Sequence, residues 1–302
     1  MTMQLELATK LLERNRVGAL LRIFSHSPEV AEAQIKSALE AARKLYEMEL
    51  NGKKVFSRID FLVSNDNRFE DSDYAEVASM LREAIDSNFP EGNPIRVLDI
   101  KNGDIYCMLL NYGVVNQLED RVPYSMIISH TAHNYITIDN VAALLAAMQN
   151  KARVAGLAIR EIGDLVMEGR IANTFSIWHN KSLMTVGGFD LRAGKPLKNS
   201  DCNIVTGICA PRNEDSKIAT IQYHIDGCEE MIPLIRLVKF FGKSIKPILP
   251  IDQTIVWGPE LKSDGFGYDR HKKKLATKQV RQEYFCKLQG VSANYLLDGI
   301  LN

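Results

Sequence analysis

Apolar strand-like runs alternate with amphipathic helical patterns over the first half of this 302-residue chain. A helix between two consecutive strands forms a crossover, and crossovers place the two strands parallel to each other. The alternation therefore predicts an α/β fold with a doubly wound, mainly parallel sheet. The predicted strands are 17–24, 55–63, 95–100, 124–128 and 154–159.

The predicted helices begin at residues that suit helix N-termini. Residues 1–16 form a short amphipathic arm before the first strand. Ser27 suits the N-cap position of the next helix, and Pro28 suits its first helical position. Asp139 is the predicted cap of a later helix that is rich in alanine and leucine.

The second half of the chain is predicted to add strands, helices and long loops. We divide the chain into an N-terminal arm (1–16), a main domain (17–257) and a C-terminal extension of loop and helix (258–302). The elements predicted within the second half are a strand at 174–178, a helix at 181–186, an irregular stretch at 190–217, a strand at 218–225, a helix at 228–241 with Pro233 in its first turn, a strand at 245–251, a loop at 258–274 and one or two terminal helices.

Composition sets limits on partners and compartment. Lysine plus arginine balances aspartate plus glutamate at 37 each, so no global attraction to nucleic acid or to a membrane surface is expected. The five cysteines include no C-x-x-C pair, which favours free thiols in a reducing compartment. No apolar run approaches the roughly 20 residues of a membrane span. We therefore predict a soluble cytoplasmic chain; its oligomeric state, a homo-oligomer included, is left open.

Sequence motifs exclude several nucleotide-binding classes. Neither G-x-G-x-x-G nor G-x-x-x-x-G-K-[ST] follows the first strand, which argues against a dinucleotide-dependent dehydrogenase and a P-loop NTPase. A nucleotidyltransferase would need a glycine-rich basic loop near that strand, and none is present. Ligands of open α/β sheets bind at the carboxyl ends of the strands. Those ends are predicted at 25–26, 64–67, 101–102 and 129–133.

The segment from Gly169 to Asp190 carries the most distinctive motif. A strand-like run leads into a short helix that ends in Gly187-Gly188-Phe189-Asp190, and the two glycines can adopt positive φ. In its place within the α/β pattern, this segment resembles the acceptor side of GT-A-fold glycosyltransferases, especially the inverting family 2. The resemblance implies a nucleotide-sugar donor, an unknown acceptor, and a sugar and acceptor pocket shaped by Asn173, Trp178, Gly187, Gly188, Phe189 and Asp190.

The same resemblance implies a nucleotide site. Asp66 would hold the base or ribose, and the Ser25-His26 loop would meet the nucleoside. Asn102-Gly103, with Asn111, resembles a helix start of the family, so Asn102 is expected beside the nucleotide.

The metal-binding D-x-D of the family is replaced here by Thr131-Ala132-His133. Threonine and histidine are poor ligands for Mg²⁺, so a divalent cofactor would more readily be Mn²⁺, held weakly by His133. Thr131 and His133 would lie beside the diphosphate, and His133 could also donate to a phosphate directly. The open alternative is that His130 and His133 merely line a loop.

Glu229 and Glu230 stand ahead of Met231, in the first turn of the helix predicted at 228–241. By resemblance, Glu230 would be the general base that deprotonates the acceptor hydroxyl, with Glu229 as its catalytic neighbour. The alternative is that both carboxylates only complement the helix dipole.

The basic run 270–274 would either neutralise a diphosphate as a lid or form a solvated loop. We predict a glycosyltransferase; the alternative is a non-catalytic GT-A relative that binds a ligand or partner through the same cleft.

Overall fold

A computed structural model describes residues 2–23, 28–64, 74–100, 107–129, 135–157, 171, 175–194, 197–198, 224–225, 229–248, 285–292 and 294–301. The strands are β1 (Val17–Ile23), β2 (Glu49–Leu50), β3 (Lys53–Lys54), β4 (Arg58–Ser64), β5 (Ile95–Ile100), β6 (Tyr124–Ser129), β7 (Val154–Leu157), β8 (Phe175–His179), β9 (Leu197–Lys198), β10 (His224–Ile225) and β11 (Ile245–Ile248). The helices are α1 (Thr2–Arg14), α2 (Pro28–Glu47), α3 (Tyr74–Asn88), α4 (Cys107–Glu119), α5 (Ile138–Gln149), α6 (Asn180–Thr185), α7 (Leu191–Gly194), α8 (Met231–Phe241) and α9 (Tyr295–Asp298).

Seven strands form one sheet in the order β11-β7-β8-β6-β1-β4-β5. Strand β8 runs antiparallel to both of its neighbours, and every other adjacent pair is parallel. The sheet confirms the predicted α/β fold class and its doubly wound, mainly parallel architecture. No helix in the described ranges is both long and apolar enough to cross a membrane.

Helices cover both faces of the sheet, and strand β1 shows how the sequence divides them. Alternate side chains of a strand point to opposite faces. Leu21 and Ile23 join a buried cluster with residues of α1, α2, α3 and α5. Leu20 joins a second cluster with residues of α4, α6 and α8. The face that carries α4 and α8 also carries the candidate site.

Two predicted boundaries differ from the structure for identifiable reasons. Strand β4 begins at Arg58 rather than at residue 55, because the chain first forms a β2–β3 hairpin whose turn residues Asn51 and Gly52 have φ of 50° and 72°. Helix α5 is capped by Thr137, whose side chain accepts from the Asn140 N–H, so the predicted cap Asp139 lies inside the first turn.

Helix α8 begins at Met231, three residues later than predicted, and Glu230 is its N-cap residue. Pro233 lies in the first turn, as predicted, where its missing N–H leaves no intrahelical hydrogen bond unmade. The predicted loop at 258–274, including the basic run 270–274, lies outside the described residues. Of the predicted terminal helices, residues 285–288 and α9 are described as helical.

A buried polar network anchors α4 to the sheet at the amino ends of the parallel strands. The Gln117 amide donates to Asp60 Oδ2 at 2.8 Å and accepts from Ser125 Oγ at 2.6 Å. Arg58 Nε also donates to both Asp60 oxygens, at 2.7 and 2.8 Å. Burial raises the pKa of the Asp60 carboxyl, although the hydrogen bonds from Arg58 and Gln117 oppose the shift. Gly18 lies directly beneath the Gln117 amide, where a side chain would not fit.

Candidate functional site

The candidate site lies at the edge where the parallel strands β1, β4, β5 and β6 end. This is the edge at which open α/β sheets bind their ligands. The segments that follow these strands fall outside the described residues. The predicted site residues among the undescribed ones are Ser25, His26, Asp66, Asn102, Thr131, His133 and Asn173, and their roles remain predictions.

The two predicted catalytic carboxylates lie together in the turn that opens α8. Glu229 and Glu230 are 6% and 5% exposed. The next residues of α8, Met231 and Ile232, are fully buried, so the helix starts directly on the core. The free N–H groups of a helix N-terminus favour negative charge, which makes this turn a suitable place for two carboxylates.

Arg22, on strand β1, forms an ion pair with the first of these carboxylates, Glu229. Its Nη1 lies 3.5 Å from Glu229 Oε1, and the two side chains are 15% and 8% exposed. In the sheet register Arg22 lies opposite Ser129, the last residue of β6. Sequence reasoning missed Arg22; the available signal was a single cation within the apolar strand Val17–Ile23.

The Gly-Gly-Phe-Asp turn adopts the conformation predicted for it. Gly187 and Gly188 have φ of 92° and 65°. A Cβ on Gly188 would lie 2.6 Å from Asn111 Oδ1, so the turn needs glycine for space as well as for φ. The Asn111 amide clamps the next residue, because Oδ1 accepts from the Phe189 N–H and Nδ2 donates to the Phe189 carbonyl, both at 2.8 Å.

Arg236 ties the turn to α8, the helix that carries the two carboxylates. Its Nη1 donates to the Val186 carbonyl at 3.3 Å, and its Nη2 lies 3.4 Å from Asp190 Oδ2. Six residues separate Arg236 from Glu230, which corresponds to about 9 Å along the helix. The turn therefore lies between α4 and α8, roughly two helical turns below the carboxyl edge of the sheet.

Trp178 and Phe189 support the turn from inside the core. Trp178 is fully buried, and its Nε1 donates to Ser176 Oγ at 2.9 Å. Its ring meets the Phe189 ring edge to face, with centroids 5.1 Å apart. A ring without exposed surface cannot stack on a sugar in this conformation, so the described contacts of Trp178 and Phe189 are packing contacts. Gly187 is exposed and Asp190 is partly exposed, so both remain accessible to a ligand.

The described part of the chain holds no group of three or more His, Cys, Asp or Glu side chains placed to bind a metal ion. His133, the predicted weak metal ligand, lies outside the described residues.

His179 lies away from the carboxyl edge, at the end of the antiparallel strand β8. It is the N-cap of α6, and its Nδ1 accepts from the Ser182 N–H. Burial lowers the pKa of His179, and the positive charges of Arg153 and Lys181 lower it further. These contacts give His179 a structural role rather than a place in the candidate site.

Neither a protein-family model nor a curated protein matches this chain. Among solved structures, it is similar to the mannosyltransferase PcManGT from Pyrobaculum calidifontis in complex with GDP-Man and Mn²⁺, with 11% identity over 96% of this chain and 81% of that chain, and a TM-score of 0.40. It is also similar to the glycosyltransferase GlyE of Streptococcus pneumoniae TIGR4, with 10% identity over 91% of this chain and 64% of that chain, and a TM-score of 0.34. For Rv0371c of Mycobacterium tuberculosis H37Rv the identity is 6% over 49% of this chain and 67% of that chain, and the TM-score is 0.29. At such scores these similarities do not assign a function.

Proposed function

We propose that this protein is a glycosyltransferase that moves a sugar from a nucleotide-sugar donor to an acceptor hydroxyl, by inverting displacement. The observation that carries the proposal is the ion pair between Arg22 and Glu229 at the carboxyl edge of the sheet, with the buried Glu230 next to Glu229 in the chain. The Gly187–Asp190 turn lies against the same helix. Buried carboxylates beside a cation at this edge suit acid–base chemistry on a phosphorylated substrate.

In the proposed reaction Glu230 is the general base. It accepts the proton of the acceptor hydroxyl while that oxygen attacks the anomeric carbon of the donor sugar. The bond between the anomeric carbon and the diphosphate oxygen breaks, and the nucleoside diphosphate leaves with the electron pair. Glu229, the residue before the base, pairs with Arg22 at 3.5 Å.

The acceptor is proposed to extend along α8 from Glu230, where its reacting hydroxyl lies, to the exposed Gly187 and the partly exposed Asp190 about 9 Å away. Arg236 fixes the Asp190 carboxylate at 3.4 Å, so that this side of the pocket is held rigidly against α8. Asn111 holds the backbone of the turn on its other side. A pocket wall braced from two helices orients a bound acceptor at little entropic cost.

The nucleoside is proposed to lie over the ends of β1, β4 and β5, near Ser25, His26, Asp66 and Asn102. Thr131 and His133 would flank the diphosphate, with a weakly bound Mn²⁺ as the divalent cation this donor set would accept. When bound, such a cation would neutralise charge on the diphosphate.

The test is release of nucleoside diphosphate from a panel of common nucleotide sugars, with and without Mn²⁺, using water or simple sugars as acceptors. We expect one donor to be consumed, with the nucleoside diphosphate released in the same amount as the sugar that is transferred to the acceptor or to water. If no donor is consumed but a nucleoside diphosphate binds, the protein is a non-catalytic relative that uses the same cleft. If none binds, the site is not a nucleotide-sugar site.

A further inference from the structure

Arg22 is the charged side chain of β1 at the carboxyl edge of the sheet, and the function proposed above gives it no catalytic step. We propose that Arg22 is the group that binds the diphosphate of the donor and stabilises it as it leaves. This inference rests on the proposed nucleotide-sugar function and adds a cationic diphosphate site within it.

The position of Arg22 follows from the alternation of β1. Arg22 and Leu20 are two residues apart, so their side chains point to the same face of the sheet. Leu20 is buried in the cluster beneath α4 and α8. Arg22 therefore extends above this cluster toward the carboxyl edge, where its guanidinium reaches Glu229 at the start of α8.

Its neighbour in the sheet places Arg22 beside the expected diphosphate. Arg22 lies opposite Ser129 on β6. The chain continues from Ser129 into residues 130–134, which include Thr131 and His133, the residues that the proposed function puts beside the diphosphate. A cation on β1, the strand paired with β6, can offset the negative charge that develops on the departing diphosphate.

The chemistry of the Arg22 guanidinium suits a diphosphate. The side chain is only 15% exposed, so a charge interaction there is screened by solvent less than one at the surface. The ion pair with Glu229 engages Nη1 at 3.5 Å, longer than the 2.7–2.9 Å of a strong charge-assisted hydrogen bond. A guanidinium carries five N–H donors in a planar fork that matches phosphate oxygens. A bound diphosphate would compete with Glu229 for this fork.

The experiment measures binding of inorganic pyrophosphate and of a panel of nucleoside diphosphates by isothermal titration calorimetry. Because a hydrogen bond to a charged group contributes about 1.5–3 kcal/mol, we expect Arg22→Gln to weaken the binding of both ligands by about 10- to 150-fold. The matched control is Arg16→Gln, which removes the same charge just before the opposite end of β1, where Arg16 is exposed and donates to the Asp120 carbonyl. It should bind both ligands as the parent does.

Two further variants test the direction of the effect and cover the case in which Arg22→Gln misfolds. Glu229→Gln removes the competing carboxylate and should tighten pyrophosphate binding. Arg22→Lys keeps the charge but loses the planar fork, so it should bind more weakly than the parent and more tightly than Arg22→Gln. If Arg22→Gln does not unfold cooperatively, the pyrophosphate affinity of Arg22→Lys relative to the parent decides whether Arg22 binds the diphosphate.

The outcomes separate this inference from the proposed function. Parent-like binding of nucleoside diphosphate by both Arg22 variants overturns the role of Arg22 and leaves the proposed function standing. Arg22-dependent binding of pyrophosphate, without binding of any nucleoside diphosphate, supports an anion site at Arg22 and removes the nucleotide-sugar proposal. A parent protein that binds neither ligand overturns both.

Discussion

The contact between Asn111 and the glycine turn makes a quantitative prediction that needs no ligand. Asn111→Ala removes the two 2.8 Å hydrogen bonds to the backbone of Phe189, a residue that is 1% exposed. Each such bond contributes about 1 kcal/mol net. The variant should therefore lower the free energy of unfolding by about 2 kcal/mol.

Gly188→Ala should cost more, for two separate reasons. A non-glycine residue at a φ of 65° is strained by about 1–2 kcal/mol. The new Cβ, 2.6 Å from Asn111 Oδ1, also displaces the amide and breaks the bonds to Phe189, for about 2 kcal/mol more. The single variant should therefore lose about 3.5 kcal/mol in total.

The double variant tests the reasoning, because the Asn111 amide that Gly188→Ala would displace is already absent from Asn111→Ala. The two single effects sum to about 5.5 kcal/mol, but Asn111→Ala/Gly188→Ala should lose only about 3.5 kcal/mol, which is a coupling of about 2 kcal/mol. Urea unfolding of the four proteins measures this cycle. Gly187→Ala, whose Cβ would lie 3.1 Å from the flexible end of Arg236, is the matched control and should be additive with Asn111→Ala. Additivity of the Gly188 pair within about 0.5 kcal/mol would refute the clamp.

Two further predictions concern the opposite edge of the sheet. Because the folded pKa of His179 is lowered, the unfolded chain binds more protons just below the ordinary histidine pKa of about 6.5, so stability should fall as pH drops through that value. Urea unfolding between about pH 5 and pH 7 should show this dependence, and His179→Asn should reduce it. If the free energy of unfolding changes with pH equally in both proteins, His179 is not the source of the dependence. Gly18→Ala should cost about 3 kcal/mol in the same assay, since its Cβ would lie 2.6 Å from Gln117 Nε2 and push that amide off Asp60; a loss below about 1 kcal/mol would show that the network repacks freely.

Local sequence patterns predicted much of the sheet. Ile95–Ile100 was predicted with both of its ends correct, because a largely apolar run flanked by polar turns marks a strand clearly. The start of β4 was predicted wrongly because a two-residue hairpin has too few residues to show a period. Pro233 was correctly expected in the first turn of α8 because it lacks an N–H, but the helix itself was predicted to begin three residues too early.

The sequence predicted only those features of the candidate site that depend on residues adjacent in the chain. Gly187 and Gly188 signalled positive φ from their own identity. The partners that hold them, Asn111 and Arg236, come from other helices, and no local pattern pairs them with the turn. Arg22 was missed for the same reason, since its partner Glu229 is brought to β1 only by the packing of α8 on the sheet.

The most direct test of the proposed chemistry is the turnover of donor by Glu230→Gln. Glutamine preserves the size of a side chain that is 5% exposed, but it cannot take up the proton of the acceptor hydroxyl. Turnover should fall by about 10²- to 10⁴-fold, while the dissociation constant of the donor stays within about twofold. Glu119→Gln, at the exposed far end of α4, should match the parent in both quantities. An unchanged turnover number in Glu230→Gln would contradict the assignment of Glu230 as the base.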